Sequence, residues 1–229
     1  MLKNKSEADR ILSILFPQKC ASCGCYMGRE NESEDILLAH FLCKNCASRL
    51  IRAEGKNYDL QHHGYENVAI PLYYDGAGKD AMLRLKFALD IGSVPFLANE
   101  VEREIRTKFY GVKFDTFTCV PATKFSLSKR GFNQSQLIAE MIDIDVHRDF
   151  SLLTKDESTG VQHKLGAAAR RLNIENAYSL SPGRNVVDKT ILIVDDILTT
   201  GATLDACSQV LRLAGARAVY AACAMTAIQ

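Results

Sequence analysis

The chain lacks several features that would define its class at once. Its 229 residues carry a net charge of only +1, so overall charge gives no reason to expect a nucleic-acid or membrane partner. No run is long and apolar enough to span a bilayer, and the apolar segment 11–17 is too short for the core of a signal peptide. Internal repeats and low-complexity segments are also absent. The sequence therefore predicts a cytoplasmic protein without membrane insertion.

Two common nucleotide-binding motifs are missing as well. No G-x-x-x-x-G-K-[ST] motif occurs, and Gly201 is followed by alanine rather than lysine. The segment 75–78 begins like a dinucleotide-binding loop but stops after two glycines. These absences argue against a P-loop nucleoside triphosphatase and against a dinucleotide-dependent oxidoreductase.

The cysteines, by contrast, are numerous and clustered. Five of the eight lie between residues 20 and 46, and in a reducing compartment such clustering indicates a metal site rather than disulfides. Cys20 and Cys23 form one C-x-x-C pair, and Cys43 and Cys46 form another at a separation typical of zinc ribbons. Four thiolates around Zn²⁺ leave no open position, so we expect a structural metal rather than a catalytic one.

Three alternatives stay open for this cluster. Cys25 is an alternative ligand to Cys23, His40 is close enough in sequence to approach the metal, and four thiolates also suit an iron–sulfur cluster. The other cysteines stand singly in apolar contexts and are expected in the core: Cys119, Cys207 and Cys223.

After residue 60 the hydrophobic pattern becomes regular. Strands are expected at residues 68–74, 116–120, 152–153, 191–194 and 218–225, and helices at 79–89, 94–109, 134–142 and 201–213. Their alternation predicts an α/β fold, with a parallel sheet covered by helices on both faces. Two short helices are expected before it, at residues 7–15 and 47–53. We therefore predict a zinc-ribbon module at residues 1–60 and an α/β domain at residues 61–229.

The segment 191–203, ILIVDDILTTGAT, carries the most chemistry. An apolar strand is expected to end in Asp195 and Asp196, whose oxygens suit sugar hydroxyls or the water shell of Mg²⁺. Unpaired amides at the start of the following helix attract phosphate, and glycine allows a close backbone approach. The candidate phosphate-binding residues directly precede or begin that helix: Thr199, Thr200, Gly201, Ala202 and Thr203.

Residues 194–203 resemble, residue for residue, the signature of type I phosphoribosyltransferases. The resemblance implies that fold, and that the acidic pair binds the ribose 2- and 3-hydroxyls of phosphoribosyl pyrophosphate. It also implies that the following loop binds the 5-phosphate and that Mg²⁺ accompanies the substrate.

A pyrophosphate needs a second anion subsite, for which basic residues are the candidates. Lys129 and Arg130 lie on a loop expected after the strand at 116–120, and Arg170 lies on a later loop. Lys86 is near the end of an expected helix. Solvent exposure, the usual fate of charged side chains, is the alternative interpretation for all four.

The string R-G-F-N-Q at residues 130–134, after a Val-Pro strand end, closely resembles the ComF competence family. Further motif residues between 159 and 173 and the N-terminal cysteines extend the resemblance over nearly the whole chain. Thr123 and Ser126 depart from it, since the family usually has histidine or serine at the first position and a basic residue at the second. The resemblance implies a phosphoribosyltransferase-like protein associated with DNA uptake in natural transformation.

Two hypotheses of different classes follow. The first is an enzyme that transfers ribose 5-phosphate to an acceptor and releases pyrophosphate. The second is a protein that retains the pocket but handles single-stranded DNA or senses a nucleotide, together with DNA-uptake proteins. In that case Phe125 and Phe132 stack on bases beside Lys129 and Arg130.

Overall fold

The structure is a computed structural model, and it describes residues 18–27, 38, 40–53, 64–155 and 177–227. The chain divides into two compact units, which interleave in sequence. The first comprises residues 1–51 and 75–96, and the second comprises residues 52–74 and 97–229. The predicted domain boundary at residue 60 stays a prediction. The expected helix at 7–15, the motif residues between 159 and 173, and Arg170 lie outside the described residues.

The described residues contain seven strands and six α-helices. The strands are β1 (Val68–Ala69), β2 (Leu72–Tyr73), β3 (Thr116–Cys119), β4 (Leu153–Lys155), β5 (Tyr178–Leu180), β6 (Thr190–Leu198) and β7 (Ala218–Thr226). The helices are α1 (Lys44–Ala47), α2 (Gly76–Phe87), α3 (Val94–Lys108), α4 (Lys124–Arg130), α5 (Gln134–Met141) and α6 (Ala202–Leu213). A 3-10 turn, Ile91–Ser93, precedes α3. None of the helices in the described ranges combines the length and the hydrophobicity that a membrane span requires.

The expected parallel sheet forms in the second unit. β6 lies between β3 and β7, and both pairs are parallel. β1 and β2 each pair in parallel with β7 on its other edge. Residues Ile191 to Val194 are fully buried, as expected for a strand covered on both faces. Because all these strands are parallel, their carboxyl ends meet at one edge, where open α/β folds bind ligands.

The expected strand at 68–74 is instead two short strands. Pro71 stands between β1 and β2 and has no amide hydrogen to donate to a ladder. Its carbonyl oxygen accepts a hydrogen bond from the amide of Ala53 at 2.8 Å. The proline therefore interrupts the strand without removing the segment from the sheet.

Two further expectations about local structure were wrong. The expected loop before residue 134 contains the short helix α4, because Thr123 caps its start by accepting from Ser126 N at 3.0 Å. Gly131, with φ of +80°, ends the same helix. The helix expected at 47–53 lies earlier, as α1. In addition, the sequence did not predict strand β5, which pairs antiparallel with β4.

The core of the second unit is continuous. Residues of β6 and β7 pack with Leu204 and Leu211 of α6 and with Tyr178 of β5. Cys119, Cys207 and Cys223 are at most 1% exposed, which confirms that they are core residues.

Candidate functional site

The acidic pair lies within β6, because the strand continues past the residue at which it was expected to end. Asp195 pairs with Cys223 of β7, and the ladder resumes at Ile197 opposite Met225. Both carboxylates are half-buried and stand near the carboxyl end of the strand. The continued ladder gives them a rigid backbone, which a free loop would not.

The carboxylate of Asp195 accepts two hydrogen bonds at one oxygen. Ser135 Oγ donates to Asp195 Oδ1 at 2.9 Å, and the amide of Asp196 donates to the same atom at 2.9 Å. The sequence did not identify Ser135 as a site residue. Its position directly after the R-G-F-N-Q string was the available signal.

The phosphate-binding residues follow β6 as a tight connection to α6. Gly201 is buried and has φ of +80°, a conformation that favours glycine, and it immediately precedes the helix. Thr199 and Thr200 are exposed, and the Ala202 amide donates to Thr200 Oγ1 at 3.4 Å. The first-turn amides of α6 have no partner within the helix, so this end presents donors suited to a phosphate.

A lysine–tyrosine pair lies beside this connection and was not expected. Lys155 Nζ donates to the Tyr178 hydroxyl at 2.8 Å. Burial lowers the pKa of Lys155, whereas the negative charge of Asp195 acts in the opposite direction. Burial raises the pKa of Tyr178, which keeps its hydroxyl protonated. The structure thus joins β4 to β5 through two side chains that are far apart in sequence, and Tyr178 packs in the same core as Leu204 of α6.

The four candidate basic residues differ in their placement. Lys129 and Arg130 form the last turn of α4, where Lys129 is exposed and Arg130 Nη1 donates to Gln134 Oε1 at 3.2 Å. Arg130 is therefore linked to the first residue of α5, directly before Ser135. Lys86 lies near the end of α2 in the first unit.

The predicted cysteine ligands come together in the first unit. The sulfur atoms of Cys20, Cys23, Cys43 and Cys46 all lie within 4.8 Å of one another. The Cys23 and Cys43 sulfurs are 3.8 Å apart, close to the edge of roughly 3.8 Å that a tetrahedron with Zn–S bonds of about 2.3 Å requires. All four are free thiols, and the rival candidates Cys25 and His40 are exposed and not members of the group.

The electrostatics of the cluster favour a thiolate at one position. Burial alone would raise the pKa of Cys23, but hydrogen bonds from the Cys25 amide and from neighbouring thiols lower it to about 6. Burial raises the pKa of Cys20 and of Cys46. Several buried thiols around one thiolate form a site in which a bound cation would compensate the negative charge.

An arginine of α2 covers the first cysteine turn. Gly24 has φ of +74°, and a β-carbon there would lie 2.5 Å from the Arg84 guanidinium. Arg84 in turn forms an ion pair with Asp90. A cation packed over the turn between Cys23 and Cys25 reduces the repulsion among thiolates.

This close approach predicts a position-specific effect of alanine. We expect Gly24→Ala to lower the stability of the first unit by about 1–2 kcal/mol, because displacement of the Arg84 guanidinium, and with it the Arg84–Asp90 ion pair, adds to the strain of positive φ. Gly131→Ala is the control, since Gly131 has φ of +80° but nothing within 4 Å of the added carbon, and we expect about 1 kcal/mol there. Urea unfolding of both variants measures the difference. Equal losses would mean that Arg84 moves away from Gly24 at no cost to stability.

Comparisons with known proteins identify a family and several relatives. Residues 97–229 match the family model described as phosphoribosyl transferase domain. DNA utilization protein YhgH of Escherichia coli is 36% identical over 114 residues, 48% of each chain, and competence protein F of Haemophilus influenzae is 33% identical over 99 residues, 42% of this chain and 43% of the relative. Competence protein ComFC of Streptococcus pneumoniae is 28% identical over 222 residues, 88% of this chain and 96% of the relative.

The match thus spans about half the length of the first two relatives. The family match includes α4, α5, the acidic pair and the connection to α6, and it covers more than half of the chain. The expected fold, a parallel sheet flanked by helices and preceded by a four-cysteine cluster, is confirmed. The chain therefore belongs to the phosphoribosyl transferase domain family, and its relatives include proteins named for competence.

Proposed function

We propose that the chain binds phosphoribosyl pyrophosphate at the carboxyl end of β6 and acts in the cytoplasm during DNA uptake. The observation that carries the proposal is the continuity of the acidic pair with the start of α6. Asp195 and Asp196 provide acceptors for ribose hydroxyls, and the amides after Gly201 provide donors for the 5-phosphate. Relatives named for competence and DNA utilization support the cellular role.

The remaining residues complete the proposed roles. Arg130, aligned by Gln134, offers charge to the pyrophosphate, with Lys129, Lys86 and Arg170 as further candidates. Lys155, which bonds Tyr178, is a further candidate cation. The carboxylate oxygens of Asp195 and Asp196 suit a hydrated Mg²⁺, which would neutralise charge on the departing pyrophosphate. Cys20, Cys23, Cys43 and Cys46 suit a structural Zn²⁺.

Titration calorimetry with phosphoribosyl pyrophosphate and Mg²⁺ tests the pocket. We expect Asp195→Asn with Asp196→Asn to weaken binding at least about 100-fold, because each lost charge-assisted hydrogen bond is worth about 1.5–3 kcal/mol. Asp188→Asn is the control, since Asp188 is exposed and precedes the amino end of β6, whereas the acidic pair lies near its carboxyl end. Unchanged affinity in the double variant would refute the assignment of the acidic pair.

Pyrophosphate release separates an enzyme from a binding protein. Transfer of ribose 5-phosphate breaks the bond between the sugar C1 atom and the pyrophosphate oxygen, so an acceptor must make release depend on its presence. We propose to assay release over a panel of purine and pyrimidine bases with the wild-type chain. Release that depends on one base identifies a transferase, whereas tight binding without release on any base supports a binding or sensing role.

A second candidate function, binding of single-stranded DNA, is favoured by the surface of α4. This helix buries none of its residues, and it combines Lys124, Lys129 and Arg130 with Phe125, whose side chain is 72% exposed. Exposed aromatic rings beside basic groups stack on bases and pair with phosphates.

The aromatic ring of α4 gives this function its own test. We expect Phe125→Ala to weaken binding of a fluorescent oligothymidine by about 1–3 kcal/mol, the usual contribution of one stacked base. Tyr110→Ala is the matched control, because Tyr110 is 92% exposed and lies before the amino end of β3, whereas α4 follows the carboxyl end of that strand. Anisotropy measured at several salt concentrations reports both variants. An equal effect of the two substitutions would argue against α4 as the binding surface.

A further inference from the structure

A buried hydroxyl contacts the acidic pair from outside β6. Ser135 is 4% exposed, and its Oγ donates to Asp195 Oδ1 at 2.9 Å. The amide of Asp196 donates to the same oxygen, also at 2.9 Å. Two donors on one carboxylate oxygen restrict rotation of the carboxylate plane, and so they set the direction of the second oxygen, Oδ2.

Ser135 is itself fixed by its neighbours. Asn133 caps α5, accepting a hydrogen bond from the Ser135 amide at 3.1 Å. The Asn133 side chain also donates to Val120 O at 2.9 Å, and the Val120 amide donates to Val194 O at 2.9 Å. Because Val194 directly precedes Asp195, the contacts form a closed circuit that begins and ends on β6.

We propose that Ser135 is a positioning residue that orients the Asp195 carboxylate toward a sugar hydroxyl. The inference rests on the proposed function, since it requires that the acidic pair recognise ribose. A carboxylate that is oriented before binding does not lose side-chain freedom when the ligand arrives, and so the hydrogen bond contributes more of its strength to affinity. Ser135 itself is buried and does not contact the ligand.

In this role, Ser135 affects recognition of the sugar but not recognition of the 5-phosphate. The 5-phosphate is recognised by the start of α6, whereas Ser135 acts only through Asp195 on the sugar. Loss of the serine hydroxyl therefore weakens binding of ribose 5-phosphate and leaves binding of inorganic phosphate unchanged. A general structural role for Ser135 would weaken both ligands together.

The test uses the full-length chain and two probes, ribose 5-phosphate and inorganic phosphate, each titrated by calorimetry. We expect Ser135→Ala to weaken ribose 5-phosphate about 10-fold, the effect of one hydrogen bond to a charged group, with phosphate affinity unchanged. Ser135→Thr keeps the hydroxyl and is expected to retain most of the affinity. Gln136→Ala, one position later on α5, is the control, because Gln136 bonds Glu140 on its own helix.

The outcomes are distinct. Equal losses for both probes in Ser135→Ala, or ribose 5-phosphate binding as strong as in wild type, would overturn the positioning role while leaving the proposed function intact. Failure of the wild-type chain to bind ribose 5-phosphate and phosphoribosyl pyrophosphate would overturn the proposed function, and the inference with it. If Ser135→Ala does not fold, Ser135→Cys, similar in size but a weak donor, is expected to give the same selective loss.

Discussion

Replacement of Cys46 with serine is expected to abolish binding of the proposed Zn²⁺ and to unfold the first unit. Cys46 lies in α1, is 2% exposed, and belongs to the four-sulfur cluster. A serine hydroxyl is a much poorer ligand for Zn²⁺ than a thiolate. Structural zinc sites contribute about 10–16 kcal/mol of apparent binding free energy, which in small modules is also folding free energy. Loss of even part of that exceeds what the small core of this unit can replace.

The effect is expected to reach α2, which the sequence does not associate with the metal. The amide of Ala77, in the first turn of α2, donates to Arg49 O at 3.2 Å, and a β-carbon on Gly76 would lie 2.1 Å from the same oxygen. Arg49 also pairs with Asp80 of α2 at 2.7 Å. Arg84, near the other end of α2, packs on Gly24. The start and the end of α2 therefore both contact segments that lie next to the cysteine cluster.

Hydrogen exchange and metal analysis measure this prediction. For Cys46→Ser we expect less than about one zinc per chain and rapid amide exchange in α2. Cys25→Ser is the matched control, since Cys25 is exposed and lies outside the four-sulfur group, and it is expected to keep its metal. Full protection of α2 in a metal-free Cys46→Ser chain would contradict the dependence of α2 on the cluster. An iron signal in the wild-type chain would refute zinc.

The parts of the site that could be predicted from the sequence consist of residues that are adjacent in sequence. One strand–helix connection contains the acidic pair, Gly201 and the threonines. Their chemistry can therefore be inferred without knowledge of the fold. The same is true of the paired C-x-x-C motifs, whose spacing reflects the geometry of one tetrahedron. The parallel sheet was predictable because apolar strands alternate with helices.

The residues that the sequence did not reveal act across long separations. Ser135 contacts Asp195, 60 positions away, and Lys155 contacts Tyr178, 23 positions away. A serine after a helix cap and a lysine at a strand end are common surface features, and only tertiary contact distinguishes these two. Helix α4 was missed for a different reason. Its seven residues bury no side chain, so no apolar periodicity marks it, although Thr123 and Gly131 do provide the cap signals.

The largest expected effect on the second unit comes from Glu100. Its side chain is 1% exposed, and Oε2 accepts hydrogen bonds from Arg52 at 2.5 Å and from Arg103 at 3.1 Å. Arg52 forms an antiparallel bridge with Leu72, and Glu100 and Arg103 belong to α3. One buried carboxylate thus joins the segment at 52, the edge of the sheet and a helix.

We expect Glu100→Ala to lower the free energy of unfolding of the second unit by about 3 kcal/mol. Removal of one member of a buried ion group usually costs about 3–5 kcal/mol, because its charge-assisted hydrogen bonds are lost and its neighbours stay partly desolvated. The lower end applies because the arginine side chains remain 24% and 33% exposed. Glu66→Ala is the control, since the Glu66–Arg212 pair is about half exposed and such pairs contribute less than about 1 kcal/mol. Urea unfolding measures both variants, and equal losses would mean that Glu100 behaves as a surface charge.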